Sequence, residues 1–371
     1  MKFKVNSSEL MRGLSAVNGA VPNKATLPIL ETILFESDDG QLKLTATDLE
    51  ISIIENIEGD IDEDGAVAIP AKRLLDTLRQ LPDIPIHFEI DEDFSVHFHT
   101  DKGNYKLAGE DPDEFPELPD LDSGTELETD RNAILNAISK TLFAVSNDDL
   151  RPAMMGVYFE IGTDESRFVA TDGHRLVRYT RDDLTADEEI DFIIPDKALN
   201  LVKKTLEDEE CHVHVTDEHA RFKSGNTVVI TRLINEQYPN YESVIPKEND
   251  KVMTVSKEQM LSTVKRVSIF SSSTTRQVRL QIKPDKLTIS AEDIDMNSEA
   301  TETLNCDYDD EEMEIGFNAK YLSDVLDNVG GDEVYFEFSS PNRAGIVKPT
   351  EESDNEQLLM LVMPVMLNSY G

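Results

Sequence analysis

The sequence predicts an α+β protein built from three tandem repeats of one domain, in which two helices pack on antiparallel sheets. An alternating strand followed by an amphipathic helix occurs three times, opening at Met1, Thr125 and Lys251. The period of about 122–125 residues is the size of a whole domain, far above the roughly 20–50 residues of solenoid repeats. We therefore expect three domains, at 1–122, 123–247 and 248–371.

Two further landmarks keep the same spacing. An apolar strand that ends in Thr-Asp or Glu-Asp recurs at 44–48, 168–172 and 288–293. An apolar segment that leads into a Lys-containing helix start recurs at 68–72, 193–197 and 315–320. Pro- and Asp-rich stretches at 116–123 and 246–250 are the expected linkers.

Each repeat is predicted to run strand, helix, three strands, helix, three strands. Helices are expected where apolar residues recur with helical spacing, at 7–17, 71–80, 130–145, 196–206, 256–270 and 319–329. Strands are expected where polar and apolar residues alternate, which in the first repeat gives 41–47, 50–55, 85–90, 94–100 and 104–108. The two helices of each repeat should cover one face of its sheets.

The charge is unevenly distributed between helices and strands. A net charge of −40 argues against a protein that grips phosphates, since such a grip needs Lys and Arg. The six helical windows nevertheless hold 13 Lys and Arg against 7 Asp and Glu, a net of +6, so the remainder carries −46. Glu favours helices as much as Lys does, so helix propensity alone does not explain this bias. We expect mildly basic helix faces inside an acidic protein.

The sequence contains none of the common catalytic signatures: no P-loop, GxSxG, HExxH or GxGxxG motif. We expect no catalytic residues, no metal site and no cofactor. Cys211 and Cys306 lie in different repeats without a CxxC partner, which favours reduced thiols. His212 and His214 alternate on a strand, which is more typical of a solvated face than of a metal site. No run of 18 apolar residues and no leader pattern occur, so we expect a cytoplasmic protein.

Two segments have no counterpart in the other repeats. The first is the turn 171–176, Thr-Asp-Gly-His-Arg-Leu, in which Gly173 allows a positive φ. The second is the apolar, Met-rich end of the chain at 358–367, where Pro364 is expected to end the sheet. If the two meet, they form an apolar cleft, with His174 and Arg175 at its rim as hydrogen-bond donors. Methionine suits such a cleft because its flexible thioether adapts to different partners.

The chain resembles the bacterial DNA polymerase III beta subunits, the sliding clamps, over essentially all of its 371 residues. The segment 171–176 combined with Val362-Met363-Pro364 is the most specific part of the match. The other matching segments are Met1-Lys2-Phe3, Thr26–Leu30, Thr47–Glu50, Tyr238–Tyr241, Val244–Pro246 and Glu314–Asn318.

The resemblance implies a head-to-tail dimer of three clamp domains per chain, closed as a ring around duplex DNA. It implies partners that bind through short linear motifs with apolar anchors: the replicative DNA polymerase, the clamp loader, repair polymerases and other clamp-binding-motif proteins. The implied role is processivity, without catalysis, sequence preference or a membrane. This chain differs from the family at Met366 and Ser243, where family members often carry a basic residue.

The resemblance also assigns site residues by position. The partner-peptide pocket is expected at Met154, Thr171, Gly173, His174, Arg175, Leu176, Pro239, Val244, Leu361, Val362, Met363, Pro364, Val365 and Met366. DNA contacts are expected at Lys24, Arg73, Arg151, Lys197 and Lys204. The dimer interface is expected to join Ile269 and Phe270 to Tyr105 and Leu107.

Two other interpretations stay open on the sequence. The Asp172-His174 pair could belong to a hydrolase, although no nucleophile lies in the same segment. The acidic composition also fits a protein-binding scaffold that does not encircle DNA.

Overall fold

The computed structural model describes residues 1–38, 40–206 and 210–367. The described chain forms two compact units, one of Met1–Leu135 with Ile194–Leu233 and the other of Asn136–Ile193 with Ile234–Gly371. Each unit combines segments of consecutive repeats, because its larger sheet continues across a repeat boundary. The predicted boundaries after residues 122 and 247 remain a prediction, and the last four residues of the third predicted domain lie outside the described ranges.

The element order repeats three times, as the sequence predicts. The first repeat contains β1 Lys2–Asn6, α1 Ser7–Val17, β2 Thr32–Asp38, β3 Gln41–Thr47, β4 Ile51–Glu58, β5 Asp60–Glu63, β6 Gly65–Pro70, α2 Ala71–Leu78, β7 Pro85–Ile90, β8 Ser95–Thr100 and β9 Gly103–Ala108. The second contains β10 Thr125–Asp130, α3 Arg131–Thr141, β11 Gly156–Ile161, β12 Ser166–Thr171, β13 Arg175–Arg181, β14 Ile190–Pro195, α4 Asp196–Thr205, β15 Glu210–Val215, β16 His219–Ser224 and β17 Thr227–Arg232. The third contains β18 Lys251–Ser256, α5 Lys257–Val267, β19 Gln277–Lys283, β20 Lys286–Asp293, β21 Ser298–Asn305, β22 Met313–Asn318, α6 Ala319–Asn328, β23 Glu333–Phe338, β24 Gly345–Pro349, β25 Glu356–Val362 and β26 Pro364–Val365.

The prediction of three strands between the helices was wrong. The second and third repeats have four strands there, and the first has five because it adds the short strand β5. The predicted ranges of the first repeat contain neither β2 nor β5. The strands β6, β14 and β22, each of which leads directly into a helix, were missed for a common reason. In each of them three consecutive residues are buried, so the strand lacks the alternation that reveals a half-buried strand.

Two predicted helices end earlier than expected. The α-helical part of 130–145 ends at Thr141, and that of 256–270 ends at Val267. In both cases a 3₁₀ turn follows, over Leu142–Ala144 and Ser268–Phe270. Such tightened last turns are common at helix C-termini.

The first unit contains two antiparallel sheets. Five strands form one sheet in the order β5-β1-β7-β8-β9, and eight form the other in the order β10-β15-β16-β17-β4-β3-β2-β6. The pairing of β17 with β4 joins the second repeat to the first. Helix α1 packs on this sheet through Leu10, Leu14 and Val17, all of which are buried.

A buried carboxylate lies where β17 meets β4. Glu55 has no exposed surface. It accepts hydrogen bonds from Arg12 Nη1 at 2.7 Å and from Thr227 Oγ1 at 2.5 Å. The bonds to Glu9 and Glu55 raise the pKa of the Arg12 guanidinium above its ordinary value. These partners offset the cost of burying the charge, and they tie α1 to both repeats.

The second unit repeats this arrangement. Its sheets have the orders β14-β11-β12-β13-β25-β24-β23-β18 and β21-β20-β19-β22-β26. Here β13 pairs with β25, from Arg175 opposite Val362 to Arg181 opposite Glu356. Among the described residues, β9 and β21 each end a five-stranded sheet and have a strand on one side only.

The pairing of β25 with β13 ends at Val362, before Pro364 as expected, but the chain then joins the other sheet instead of leaving the sheets. The N–H of Met363 still donates to the carbonyl of His174, at 2.8 Å. Pro364 and Val365 then pair with Phe317 and Gly316 of β22, in the other sheet. Proline is tolerated at such a sheet edge because its missing N–H is not needed there.

The longest described helices have 11 residues, and none of the helices in the described ranges is long and apolar enough to cross a membrane.

Replacing Glu55 with Ala should loosen the joint between β4 and β17. The change leaves Thr227 and one Arg12 nitrogen without their buried acceptor, at a cost of about 2–3 kcal/mol. Hydrogen exchange of peptides covering 51–58 and 227–232 should accelerate. The matched control is Glu9→Ala, which removes only a partly exposed partner of Arg12. Equal protection in both variants would contradict this role.

Candidate functional site

The turn between β12 and β13 is rigidly built. Thr171 Oγ1 accepts from the N–H of Gly173 at 3.1 Å and donates to the carbonyl of Arg175 at 2.7 Å. Asp172 Oδ1 accepts from the N–H groups of His174 and Arg175, at 2.9 and 3.0 Å. Gly173 has φ +86°, and a Cβ there would lie 2.8 Å from Arg151 Nη1. The positive φ therefore favours glycine, and a larger residue would also have to displace the end of the Arg151 side chain.

Arg175 does not lie at the rim as a free donor, as the sequence had suggested. The residue is 7% exposed. Its Nη2 donates to the carbonyl of Phe143 at 2.6 Å, and its Nη1 is paired with Asp324. Its Nε lies 3.3 Å from Asp172 Oδ2 without the angle of a hydrogen bond. Because its N–H groups are directed at the protein's own acceptors, Arg175 fastens the turn to its surroundings.

The surroundings of Arg175 are aromatic. Its guanidinium carbon lies 5.3 Å from the centre of the Phe143 ring and 5.2 Å from that of Tyr321. His174 is exposed and stacks on the same Tyr321, with ring centres 5.1 Å apart. Burial is the main cause that raises the pKa of Tyr321 above its ordinary value. Such cation–π and stacked contacts favour one fixed arrangement of the turn.

Sequence reasoning missed Phe143, Tyr321 and Asp324. The last two are three residues apart on α6, so they share a helix face, and this spacing was readable. Which turn that face meets was not readable, because α6 belongs to the third repeat and the turn to the second.

An apolar cluster supports the turn from behind. Tyr158 and Tyr238 stack with ring centres 4.6 Å apart, and the Tyr238 hydroxyl donates to the carbonyl of Val169 at 3.3 Å. The buried members of the cluster are Val169, Leu176, Ile193, Tyr238, Tyr241, Ala344 and Leu361. Ala153, Tyr158, Ile234 and Ile245 pack against it.

All of the predicted pocket residues fall in the second unit, but they differ in exposure. The exposed ones are Gly173, His174, Val244, Met363 and Met366. The half-buried ones are Met154, Pro239, Pro364 and Val365. The buried ones are Thr171, Arg175, Leu176, Leu361 and Val362. The pairing of β13 with β25 and the bond from Met363 to His174 bring the turn and the chain end together. The expected meeting of the two specialised segments is thus present.

The predicted DNA contacts are not equally available. Lys24, Arg73, Lys197 and Lys204 belong to the first unit and are exposed, but Lys197 is already paired with Asp48. Arg151 belongs to the second unit. Its Nε donates to Asp148 Oδ2 at 2.9 Å, and its Nη1 donates to the carbonyl of Asp172 at 3.0 Å. Arg151 therefore braces the turn that contains Gly173.

The predicted interface residues also differ in exposure. Ile269 is 77% and Phe270 is 41% exposed, which is unusual for apolar side chains of this size. Tyr105 is half-buried and stacks on Phe98, with ring centres 4.8 Å apart. Leu107 is only 7% exposed, so its side chain offers little surface to a partner.

The turn gives Asp172 a structural role instead of a catalytic one. Its carboxylate accepts two backbone N–H groups and contacts Arg175, while the ring of His174 packs on Tyr321. No group of three or more metal-ligating side chains occurs in the ranges that are described. The hydrolase interpretation therefore gains no support from this geometry.

The tandem α+β repeats, with sheets that continue across their boundaries, define the architecture of sliding clamps. The sequence matches three family models of the DNA polymerase III beta subunit: the N-terminal domain over residues 1–119, the central domain over 128–240 and the C-terminal domain over 242–364. It is 30% identical to the beta sliding clamp of Vibrio cholerae over 372 residues, which cover 99% of this chain and 100% of the relative. The chain belongs to the beta sliding clamp family, the beta subunits of bacterial DNA polymerase III.

Solved structures agree with this assignment. The sliding clamp of Pseudomonas aeruginosa with ligand superimposes with a TM-score of 0.93 at 29% identity, covering 99% of this chain and 100% of that one. The clamp of Bartonella birtlesii bound to griselimycin gives a TM-score of 0.94 at 29% identity, with the same coverage.

Replacing Arg175 with Met should destabilise the second unit. The change keeps the volume but leaves the carbonyl of Phe143 and the carboxylates of Asp172 and Asp324 without their cation. Breaking a largely buried ion pair costs about 3–5 kcal/mol, and the partial exposure of Asp324 favours the lower end. A clear fall in Tm is expected.

The control for this prediction is Arg279→Met, because the Arg279–Glu314 pair is about 40% exposed on both sides. Such a pair contributes about 0–1 kcal/mol. A Tm unchanged in Arg175→Met, or lowered equally by both changes, would contradict the role assigned to Arg175.

Proposed function

We propose that two copies of this chain close head to tail into a ring around duplex DNA, and that the site at Gly173 and His174 tethers replication and repair proteins to it. The observation that carries the proposal is a regular succession of sheet junctions. The last strand of the second repeat, β17, pairs with β4 of the first. The last long strand of the third, β25, pairs with β13 of the second. Among the described strands, the equivalents left without such a junction are β9, the last strand of the first repeat, and β21, and each lies at the end of its sheet.

The repeats also give a register for the missing junction. Thr231 lies opposite Ile51, and Val362 lies opposite Arg175. Ile51, Arg175 and Ser298 are equivalent first residues of their strands. The bonds from Arg232 to Glu50 and from Met363 to His174 align Thr231 with Val362. The bond from Glu110 to Ala68 corresponds to that from Ile234 to Ile193, which aligns Leu107 with Thr231. Leu107 of one copy should then lie opposite Ser298 of the other. One residue along, Lys106 should lie opposite Glu299.

The proposed ring pairs an exposed Lys with an exposed Glu on the solvent face of the joined sheet. Opposite charges directly across a strand pair are favourable. Ile269 and Phe270, exposed in a single chain, would be covered by the second copy. An exposed backbone edge invites pairing, and closure of the ring satisfies both edges.

Retention on DNA would be topological. Arg73 on α2 and Lys197 and Lys204 on α4 supply basic side chains, as does Lys24 on the segment between α1 and β2, while the chain as a whole repels phosphate. Backbone contacts carry no base information, so no sequence preference is expected. A weak grip suits a ring that must slide.

The tethering site would take a short peptide with apolar anchors from the replicative polymerase, the clamp loader or a repair polymerase. Val244, Met363 and Met366 expose apolar surface, and Met363 is bonded to the carbonyl of His174. A few buried anchors supply most of the affinity in such sites. The relatives solved with ligand and with griselimycin support a binding role for this family. The protein would act without catalysis or cofactor, in the cytoplasm where the chromosome is replicated.

Charge reversal tests the ring. Lys106→Glu or Glu299→Lys should each place like charges together at both junctions, which weakens the dimer roughly 5- to 30-fold. Light scattering at dilute concentration should show monomers, and rings placed by the clamp loader on nicked circular DNA should be lost. The double variant should restore both properties.

Lys223→Glu is the control, since Lys223 is exposed on β16, away from the open edges. Intact rings should slide off when the circle is linearised. Equal retention on circular and linear DNA would refute encirclement, and a failure of the double variant to recover would refute the register.

A second experiment addresses the tethering site. Met366→Glu and Val244→Glu should each weaken binding of a Gln-Leu-x-Leu-Phe peptide about tenfold or more, because a charge would replace an apolar contact. Isothermal titration provides the measurement. Met296→Glu is the matched control, since Met296 and Met366 are 74% and 77% exposed. If Met366→Glu and Met296→Glu bind the peptide equally well, the site lies elsewhere.

A further inference from the structure

The first repeat contains a turn with the same construction as the one at Gly173. Thr47 Oγ1 accepts from the N–H of Leu49 at 3.1 Å, as Thr171 does for Gly173. Asp48 Oδ1 accepts from the N–H groups of Glu50 and Ile51, at 3.0 and 2.7 Å. Beyond the turn, the N–H of Arg232 donates to the carbonyl of Glu50 at 2.8 Å, as Met363 does to His174.

The segments that pack behind this turn are also equivalent in the two repeats. A 3₁₀ turn begins at Pro28 in the first repeat and at Pro152 in the second. An aromatic-Pro pair follows each repeat's last strand, Phe115-Pro116 in one and Tyr238-Pro239 in the other. Ile29, Ala68 and Phe115 form a buried cluster, in the positions that Ala153, Ile193 and Tyr238 occupy in the second repeat.

What differs is the outward surface. Position 151, equivalent to Leu27, holds an arginine whose Nη1 reaches over residue 173. Position 173, equivalent to Leu49, is glycine. Where the second repeat has an arginine and a glycine, the first repeat has Leu27 and Leu49, which are 50% and 55% exposed. The equivalence places both leucines on the surface that Arg151 and Gly173 form in the second repeat.

Leu49 holds a conformation that leucine disfavours. Its φ is +79°, close to the +86° of Gly173. Asp48, which fixes the turn, is paired with Lys197 on α4. A glycine would relieve the strain without changing the turn. An exposed leucine kept in a strained conformation indicates a role for its side chain.

The neighbouring charge identifies the partner. The linker at 110–122, which contains Phe115, carries seven carboxylates and no Lys or Arg. Glu31 and Glu50 add to the negative charge near the leucines. Three basic residues, Lys24, Lys197 and Arg232, are also near, but Lys197 is already paired with Asp48 and Arg232 lies 3.9 Å from Glu50. Negative charge around an apolar patch selects a positively charged segment with apolar anchors.

We propose that Leu27 and Leu49 form a second docking site, on the first repeat, for a basic protein segment with apolar anchors. It is separate from the tethering site proposed above. It would let one ring hold a partner at two places, or two partners with different motifs.

The test uses the full-length chain with Met366→Glu as background, so that the tethering site is impaired. The probe is a fluorescent Lys-Lys-Leu-Ser-Leu-Phe-Lys-Lys peptide, with Glu in place of every Lys as its comparison. The basic peptide should bind at least about tenfold more tightly than the acidic one. Leu49→Gly and Leu27→Ser should each weaken it about tenfold or more. Hydrogen exchange should slow at 24–31 and 47–51 when the peptide binds.

Leu150→Ser is the matched control, because Leu150 is 90% exposed on a loop of the second unit. Leu49→Gly should melt at the same temperature as its parent or higher, so its loss of binding would not reflect unfolding. Undiminished binding by Leu49→Gly, or protection at 171–175 instead, overturns the proposal. The proposal is also overturned if a leucine variant still binds the peptide but is no longer retained on circular DNA. That result would mean that the leucines contact DNA.

Discussion

The structure depends on one constraint, that the last strand of each repeat completes the sheet of the repeat before it. A single repeat would leave two rows of backbone N–H and carbonyl groups open, which is a liability in water and an invitation to pairing. The junctions of β17 with β4 and of β25 with β13 satisfy those groups inside the chain. The same rule, applied once more, leaves β9 and β21 as complementary edges. The proposed dimer therefore follows from backbone bonding, and the apolar residues near the edges only select the partner.

The junctions also explain where the two proposed binding sites lie. At each one the strand that crosses the boundary ends beside the turn of the preceding repeat, and one backbone bond closes the contact, from Arg232 to Glu50 or from Met363 to His174. This contact between turn and strand end lies at the surface. Its side chains can therefore differ between repeats without disturbing a sheet. In the second repeat the buried Arg175 holds this turn in place. The first has Ile51 in that position and carries its exposed leucines instead.

Much of this fold was readable from the sequence, because spacing and period are local properties. All six helices and the alternating strands of the first repeat lie close to where the pattern places them. The strands β6, β14 and β22 were missed because burial on both faces removes the alternation. The environment of Arg175 could not be read at all, since Phe143 and Asp324 reach it from segments 32 and 149 residues away in sequence. From the sequence, Arg175 beside an apolar cleft suggests a hydrogen-bond donor at the rim. Only the acceptors around it in the structure show that it is buried and holds the turn in place.

The charge of the helices illustrates the same limit and bears on how DNA is held. Counting residues gave the helical windows a net positive charge, but several of their cations already have partners. Lys265 lies 3.0 Å from Asp327, Arg266 lies 2.5 Å from Glu302, and Arg12 bonds to both Glu9 and Glu55. Each paired cation contributes less to the binding of phosphate, because the carboxylate must first be displaced. The affinity for DNA rises with the number of phosphates that are neutralised, so this pairing lowers it. A protein that relied on affinity would be weakened by such pairs, whereas a ring retained by topology gains freedom to slide.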